Sequence, residues 1–504
     1  MFTPSNYQKA IFEWVLNGSG DAFVSAVAGS GKTTTLVQTA KLIVNKHADA
    51  IFVAFNTNIV AELNKRLPVG FKAVTINSLG NRALMKGLGK KVYKGFCPTA
   101  SKKYFSITYN MVKDMGLEKK DIHPTSSKIE AFIKFGMAEL CDWSDEGLLA
   151  VADHYGLEFP KKLSEKDTLN TVRAAYEMGL AQARQGIISF DEQIYLPVLW
   201  NMAPEQSSFI LGDEAQDFSK AKLALLLMAR KPGGRCLFVG DKNQSIYGFA
   251  GADAFAVQNI LDQTNATVLP LSISYRCAKA IVRHAQELVP EIESAPDAPE
   301  GVVEWIKENT FLTEVKPGDL VLSRLTAPLV SLAIKLIAKH KPATVKGKDI
   351  AKSLLNCAKD ALNGRYTFAE LDDALDNYLN EQISALLLKG NSEKAILALA
   401  DRVEGVRVCA EGFKVNSIEL FEAKLEGIFS NENENLPGVI TLSTIHRMKG
   451  GEAEDVYLLD EKLPLVWKGQ LPWEREQENN LDYVARTRAK LRLRYFTREV
   501  KGLE

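Results

Sequence analysis

Cysteine is scarce in this chain. Six cysteines stand in 504 residues, at Cys97, Cys141, Cys236, Cys277, Cys357 and Cys409, with no C-x-x-C pair and no zinc-like spacing. That excludes a disulfide-built scaffold and a cysteine metal module, and it fits reduced thiols in the cytoplasm. An excess charge is also lacking: Lys plus Arg and Asp plus Glu are equal at 62 each. No global field marks a polyanion as partner, although a local basic stripe would suffice for one. No apolar run approaches membrane-spanning length, and the first residues carry no signal-peptide core, so neither a membrane protein nor a secreted one is expected. Internal repeats are missing too. With 46% apolar and 25% charged residues, the make-up is that of a globular protein of roughly two to four domains.

What is present is a rhythm of strands and helices. Strand-like runs at 22–27, 51–55, 73–76, 209–213, 237–241 and 268–273 alternate with helical ones, the pattern of a parallel α/β sheet. Between about residues 85 and 175 the reading is mostly helical, and the rhythm returns near 178. A second set of runs follows at 302–306, 320–323, 439–443, 456–459 and 491–496, interrupted by helical spacing over roughly 345–430. The expected fold is therefore α/β, with two parallel-sheet cores that each carry a mainly helical insertion. The boundaries read as 1–84 with 178–274 for the first core and 85–177 for its insertion. The second core takes 275–344 with 436–504, and its insertion 345–435. The polar, Pro-ended stretch 431–437 reads as a loop returning the chain to the second core.

The first strand runs into Ala28-Gly29-Ser30-Gly31-Lys32-Thr33-Thr34, and a helical pattern opens there. A glycine-rich turn lets backbone N–H groups converge on phosphate oxygens, and a helix N-terminus adds its positive dipole end. Lys32 is placed to reach β- and γ-phosphates, and the Thr33 hydroxyl to ligate Mg²⁺. The strict pattern asks for glycine where this chain has Ala26. A plain glycine turn is the alternative.

Leu211-Gly-Asp-Glu-Ala-Gln-Asp217 ends a later strand with clustered acids. Such acids are commonly just solvated. After a phosphate turn in the same sheet, one carboxylate can hold Mg²⁺ and the next can polarise an attacking water. Asp213 is assigned to the metal and Glu214 to the general base. The next strand ends in a polar segment holding Gln244, Tyr247 and Phe249. It suits either a site touching nucleotide and a stacked base or a surface turn with packed rings. The stretch 85–105 carries Lys86, Lys90, Lys91, Lys94, Lys102 and Lys103 without an acid, interleaved with Tyr93, Phe96, Tyr104 and Phe105. It reads as backbone contact with nucleic acid or as a solvated lysine-rich loop.

Taken in order, these segments resemble the motif series of superfamily 1A DNA helicases, the UvrD/PcrA/Rep group, with a lean toward its F-box-helicase and phage-type branch. Gln8 looks like that family's adenine-reading glutamine. Ala54-Phe55-Asn56-Thr57-Asn58, with Glu62, and Thr75-Ile76-Asn77-Ser78 resemble its single-strand-contacting segments. Ser274-Tyr275-Arg276 resembles the segment that stacks an aromatic on adenine and sends an arginine to the γ-phosphate. Thr441 to Glu452 resembles the fifth motif, with Thr444 and His446 near the DNA backbone and Glu452 on the ribose. Tyr483 to Ala489 is similar to the sixth, with Arg488 as a second γ-phosphate arginine. The resemblance implies two RecA-like domains, ATP and Mg²⁺ as cofactors, and single-stranded DNA and single/double-strand junctions as partners. It also implies 3′-to-5′ translocation in replication, repair or recombination, with the nucleotide bridging the two cores. Phe55, Tyr247 and Phe249 are the candidate base-stacking rings, with core packing as the alternative for Phe55. Asn77, Phe249, Ala250, Gly451 and Asn480 depart from the family's usual residues at positions of DNA grip, not of phosphate chemistry. The second insertion is short for this family. That leaves room for a DNA-stimulated ATPase that displaces bound proteins with little unwinding. The chain's limits leave no place for an F-box-like extension or a terminal nuclease, so neither is expected.

Overall fold

The computed structural model describes residues 2–44, 49–54, 56–95, 97–246, 255–388, 393–430, 438–459 and 463–498. The chain divides after Ser272 into two compact units.

In the first unit six strands form one sheet: β1 (Ala22–Ala26), β2 (Ile51–Ala54), β3 (Lys72–Thr75), β4 (Ser207–Gly212), β5 (Arg230–Gly240) and β6 (Thr267–Leu271). Their order is β3-β2-β4-β5-β1-β6 and every pairing is parallel. A parallel sheet is covered on both faces, so its central strands must be apolar at successive positions. Phe209, Ile210 and Leu211 are all fully buried, as are Leu237, Phe238 and Val239. Alternate residues feed opposite layers. Val24, Phe52 and Leu211 pack with Leu36 and Ile43 of the helix Lys32–Ile43. Phe23, Val53 and Ile210 pack with Leu225 and Leu226 of the helix Lys220–Met228. The order also sets the carboxyl ends of β4, β5 and β1 side by side.

Five α-helices, Lys103–Asp114, Lys119–Glu139, Asp145–Tyr155, Glu165–Arg184 and Glu192–Leu199, lie between the helix Ile76–Leu88 and β4. They hold an apolar core of their own around Ile129, Phe132, Ile133, Val172 and Tyr176. The strand rhythm does not resume near 178. The helix Glu165–Arg184 runs through that position because the buried spacing Leu169, Val172, Ala175, Tyr176, Leu180, Ala183 continues past it. The next strand starts only at Ser207.

The lysine-rich stretch 85–105 is not a single surface. Lys103 is interior, its ammonium 2.5 Å from a Glu192 carboxylate oxygen, and it also donates to the carbonyls of Gly179 and Ile187 at 3.0 and 2.9 Å. Tyr104 donates to the same carboxylate at 2.9 Å, and buried Tyr93 donates to Asn81 at 2.6 Å. Lys86, Lys90, Lys91, Lys94 and Lys102 remain exposed. Sequence composition cannot distinguish a lysine whose carboxylate partner comes from 89 residues away.

The second unit opens with a two-stranded parallel pair, β7 (Ile273–Ser274) and β8 (Glu293–Ser294). The single run expected over 268–273 thus splits at Ser272 and feeds two sheets. Seven further strands follow: β9 (Val302–Lys307), β10 (Leu320–Ser323), β11 (Ala343–Lys346), β12 (Phe429–Ser430), β13 (Ile440–Thr444), β14 (Ala453–Leu459) and β15 (Ala489–Thr497). They form a parallel sheet of order β12-β11-β13-β10-β14-β15-β9. Each unit is thus a RecA-like α/β core, the first unit's insertion being helical. The helical stretch expected from 345 begins instead after β11, a strand hidden in the sequence because Val345 is its one large apolar residue.

The second insertion differs from the first. Leu354, Val403, Val406 and Phe421 of its helices Lys348–Leu362, Glu393–Phe413 and Ile418–Ile428 share one continuous core with Val321, Val345 and Leu442 of the sheet. Asp401 seals the junction by accepting the N–H groups of Thr326 and Ala327, both at 3.0 Å. Among the described residues, no helix is long and apolar enough to cross a membrane.

Breaking a buried ion pair from one side strands the other charge, at a cost of about 3–5 kcal/mol. Lys103→Ala is therefore expected to lower the free energy of the first unfolding transition, read from urea denaturation, by an amount of that order. Lys102→Ala, one residue away and exposed, should stay within about 0.5 kcal/mol of the parent. Equal effects of the two substitutions would contradict the buried assignment of Lys103.

Candidate nucleotide-binding site

At the end of β1 the backbone turns through Gly29 and Gly31, with φ of 72° and 78°, and Gly31 leads into the helix Lys32–Ile43. Those left-handed angles are cheap for glycine and strained for most other residues. The turn is tied down by Val27 N–H donating to the Leu271 carbonyl at 3.1 Å and Ser30 N–H to the Val27 carbonyl at 3.3 Å. Ala28 is fully buried. The Ser30 hydroxyl oxygen is buried and has no hydrogen-bond partner among the described residues. Such an orphan calls for an explanation, and a ligand oxygen in the turn supplies one. Lys32, Thr33 and Thr34 are half-buried around the mouth.

Gln8 is fixed against this turn. A capping box locks it, with Ser5 N–H donating to Gln8 Oε1 at 3.0 Å and Gln8 N–H to Ser5 Oγ at 3.2 Å. Its amide nitrogen donates to Thr35 Oγ1 at 3.0 Å, and Thr35 in turn donates to the Gly31 carbonyl at 3.0 Å.

The ends of β4 and β5 bring the acids alongside. Asp213 is buried, and its N–H reaches across to the Val53 carbonyl at 3.0 Å. Loss of hydration and the neighbouring Glu214 charge push its carboxyl up to about 7, against the opposing pull of Lys32. Glu214 sits at φ 51°, a left-handed conformation uncommon for a non-glycine residue and a mark of a constrained site. Gln244 is buried and donates to Asp241 at 2.6 Å. Burial likewise raises the Asp241 carboxyl, with Lys32 acting against it.

Gln216 was not singled out from the sequence. Its amide nitrogen donates to the Glu214 carboxylate and its carbonyl oxygen accepts the Asp241 N–H at 3.0 Å, which braces the general-base candidate against the β5 end. The signal was present as a glutamine two residues after Glu214, but its role depends on a contact 25 residues away.

In the second unit Arg276, Glu452 and Arg488 come together. Arg276 Nε lies 2.5 Å from a Glu452 oxygen and Lys490 Nζ 2.8 Å from the other. Burial pushes the Glu452 carboxyl up, but Lys490 and Arg276 outweigh that and hold it low. This carboxylate, expected on a ribose, is thus engaged by two cations here. Arg488 is 1% exposed and donates to the Val484 and Gly451 carbonyls at 2.9 and 3.1 Å and to Thr487 Oγ1 at 3.3 Å. All three acceptors are neutral. Desolvation and repulsion from Arg276 lower it to about 9, a large shift for a guanidinium. Tyr275 beside them is half exposed.

The candidates for DNA contact are dispersed. Asn56 and Thr75 act as helix caps, accepting the N–H groups of Ile59 at 2.9 Å and Ser78 at 3.1 Å. Asn77 donates to the Phe190 carbonyl at 2.9 Å. Phe190 itself is 53% exposed and also escaped the sequence reading. Thr444 ends β13, and the half-buried His446 imidazole is pushed down to about 3 by desolvation and by the Arg324 and Lys394 cations, so it is neutral near pH 7. Met448 fills the space beside Gly451, where an added Cβ would lie 2.5 Å from its methyl carbon. Phe55, Tyr247, Phe249 and Ala250 lie outside the described residues.

A glycine turn and lysine at one strand end, with acids at the ends of the next two strands, define a phosphate-loop nucleotide-binding unit. The chain belongs to the UvrD/REP helicase family, whose N-terminal-domain model matches residues 7–265. It is 27% identical to the ATP-dependent DNA helicase PcrA of Bacillus subtilis over 55% of this chain and 38% of that protein. Against the F-box DNA helicase protein 1 of Schizosaccharomyces pombe the identity is 25%, covering 96% of this chain and 56% of that protein. With PcrA of Staphylococcus aureus it is 26%, over 67% and 46%. The chain thus spans about half the length of the curated relatives it matches.

A buried guanidinium whose hydrogen bonds, among the described residues, go only to neutral oxygens carries a desolvation cost that an apolar side chain would not. Arg488→Met is expected to leave the thermal midpoint equal to or above that of the parent. A fall of about 4 °C or more, the shift of roughly 1 kcal/mol in a small domain, would instead make Arg488 a structural residue.

Proposed function

We propose that this chain hydrolyses ATP to move along single-stranded DNA, 3′ to 5′, and separates strands at junctions with duplex, in replication, repair or recombination. The observation that carries this reading is the convergence of Lys32, Thr33, Asp213, Glu214 and Gln244 on adjacent strand ends of one sheet. The orphaned Ser30 hydroxyl and the buried Asp213 carboxyl both fit a phosphate with its metal ion. Thr33 and Asp213 would hold Mg²⁺, which neutralises charge on the phosphate oxygens. Gln8 reads the base and Ala28 to Thr34 cradle the phosphates. Glu214 takes a proton from the attacking water, and Gln244 senses the γ-phosphate. Arg276 and Arg488 stabilise the charge that grows on the transferred phosphoryl group, Tyr275 stacks on the adenine, and Glu452 exchanges its cations for the ribose. Phosphoryl transfer needs this positioning and charge stabilisation rather than covalent help. On the DNA side, Asn56, Thr75, Asn77, Thr444 and His446 grip the strand. Exposed Phe190 joins Phe55, Tyr247 and Phe249 as a ring on which bases stack without regard to sequence.

A second reading has a specific observation in its favour. The second insertion shares the core of its sheet rather than holding one of its own. That compact build suits a DNA-stimulated translocase that strips bound proteins and unwinds little.

Turnover measured with and without single-stranded DNA, together with unwinding of 3′- and 5′-tailed duplexes, separates the two readings. Lys32→Ala is expected to abolish hydrolysis. Glu214→Gln should bind ATP but turn over about 10²- to 10⁴-fold more slowly, the usual worth of a general base. Phe190→Ala should keep hydrolysis and lose movement. Stimulated turnover with no strand separation on either tailed duplex selects the translocase, and turnover indifferent to DNA defeats both.

A further inference from the structure

The helix Pro472–Arg486 ends two residues before Arg488. Eight residues before that helix end stands Glu478, about 12 Å back along the axis at helical rise. Glu478 is buried and touches none of the groups assigned to the nucleotide. Instead Arg324 grips it with a fork: Nε lies 3.1 and 3.0 Å from its two oxygens and Nη2 2.6 Å from one of them. The Leu465 N–H completes the set at 3.0 Å. A planar guanidinium on a carboxylate fixes orientation as well as distance, which a lysine or an apolar contact would not.

The other end of this clamp is the candidate DNA face. Arg324 directly follows β10, whose last residue Ser323 pairs with Thr444 of β13. The Ile445 N–H donates to the Ser323 carbonyl at 3.1 Å, so Arg324 and the 444–446 segment move as one piece. The Arg324 charge is felt at the His446 imidazole. Near the helix start Lys394 of the second insertion holds Glu474 at 2.6 Å, a second tie on the same helix. A shift of the strand ends must therefore turn or translate the helix, and with it Arg488.

We propose that Glu478 is a positioning residue that couples polynucleotide binding to the placement of Arg488, through the Arg324–Glu478 fork and the helix Pro472–Arg486. The proposal rests on the reading that Thr444 and His446 face DNA and that Arg488 serves the γ-phosphate. Coupling of this kind runs through packed, rigid elements and is measured as a ratio of two states.

The test is ATP turnover of the full chain, with and without saturating oligothymidylate, for the parent, Glu478→Gln and Arg324→Lys. Both variants should keep DNA-free turnover within about twofold of the parent while DNA-stimulated kcat falls about tenfold, the size of a typical coupling. The oligothymidylate concentration giving half-stimulation should change less than about threefold, because binding itself is not removed. Arg324→Lys keeps the charge and loses only the fork, so it carries the test if Glu478→Gln fails to fold. An unchanged stimulation ratio in a folded variant overturns the proposal. So does an equal fall of basal and stimulated turnover, which would mark the fork as scaffolding. A parent whose turnover ignores oligothymidylate refutes the DNA reading itself, and that failure shows before any variant is made.

Discussion

Parallel strands send their carboxyl ends to the same edge of a sheet, and here three of those ends are neighbours. β4, β5 and β1 stand in consecutive places, so the acids of the first two and the glycine turn of the third share one small volume. Everything chemical in the first unit depends on that adjacency. Lys32 sits within electrostatic reach of both Asp213 and Asp241. Both carboxyls are raised by burial, the loss of hydration outweighing the pull of the Lys32 charge. Gln216 then fixes the orientation of Glu214 from the same cluster.

The second unit shows the complementary imbalance. Arg488 is buried among neutral oxygens, and Arg276 shares Glu452 with Lys490. Burying such a cation costs desolvation that contacts with neutral oxygens repay only in part. The first unit thus holds carboxylates and a lysine around a glycine turn, and the second holds an arginine whose hydrogen bonds, among the described residues, go to neutral oxygens.

The sequence was most readable where chemistry is local. The turn Ala28 to Thr34 is one contiguous segment between a strand and a helix, and its glycines have the positive φ that their placement implies. Asp213, Glu214 and Gln244 stand out as candidates in the sequence because each follows an apolar run. Gln216, Phe190 and the Arg324–Glu478 fork do not, because their meaning arises from partners 25, 113 and 154 residues away. The same blindness left Lys103 in a stretch that reads as nucleic-acid contact or as a solvated loop, when its ammonium is paired with Glu192 inside a helical core. Strand β11 escaped because a short segment with one large apolar residue carries too little pattern to set against its lysine-rich surroundings. Periodicity located the sheets; it could not say which insertion has its own core.

A crystal structure of the chain with Mg²⁺ and a non-hydrolysable ATP analogue tests the proposed nucleotide site. The phosphates should seat on the N–H groups of the turn at Gly29 to Thr33, with the ion between Thr33 and Asp213 and the guanidiniums of Arg276 and Arg488 at the terminal phosphoryl group. An analogue bound away from Lys32, or both arginines turned from its phosphates, would contradict it.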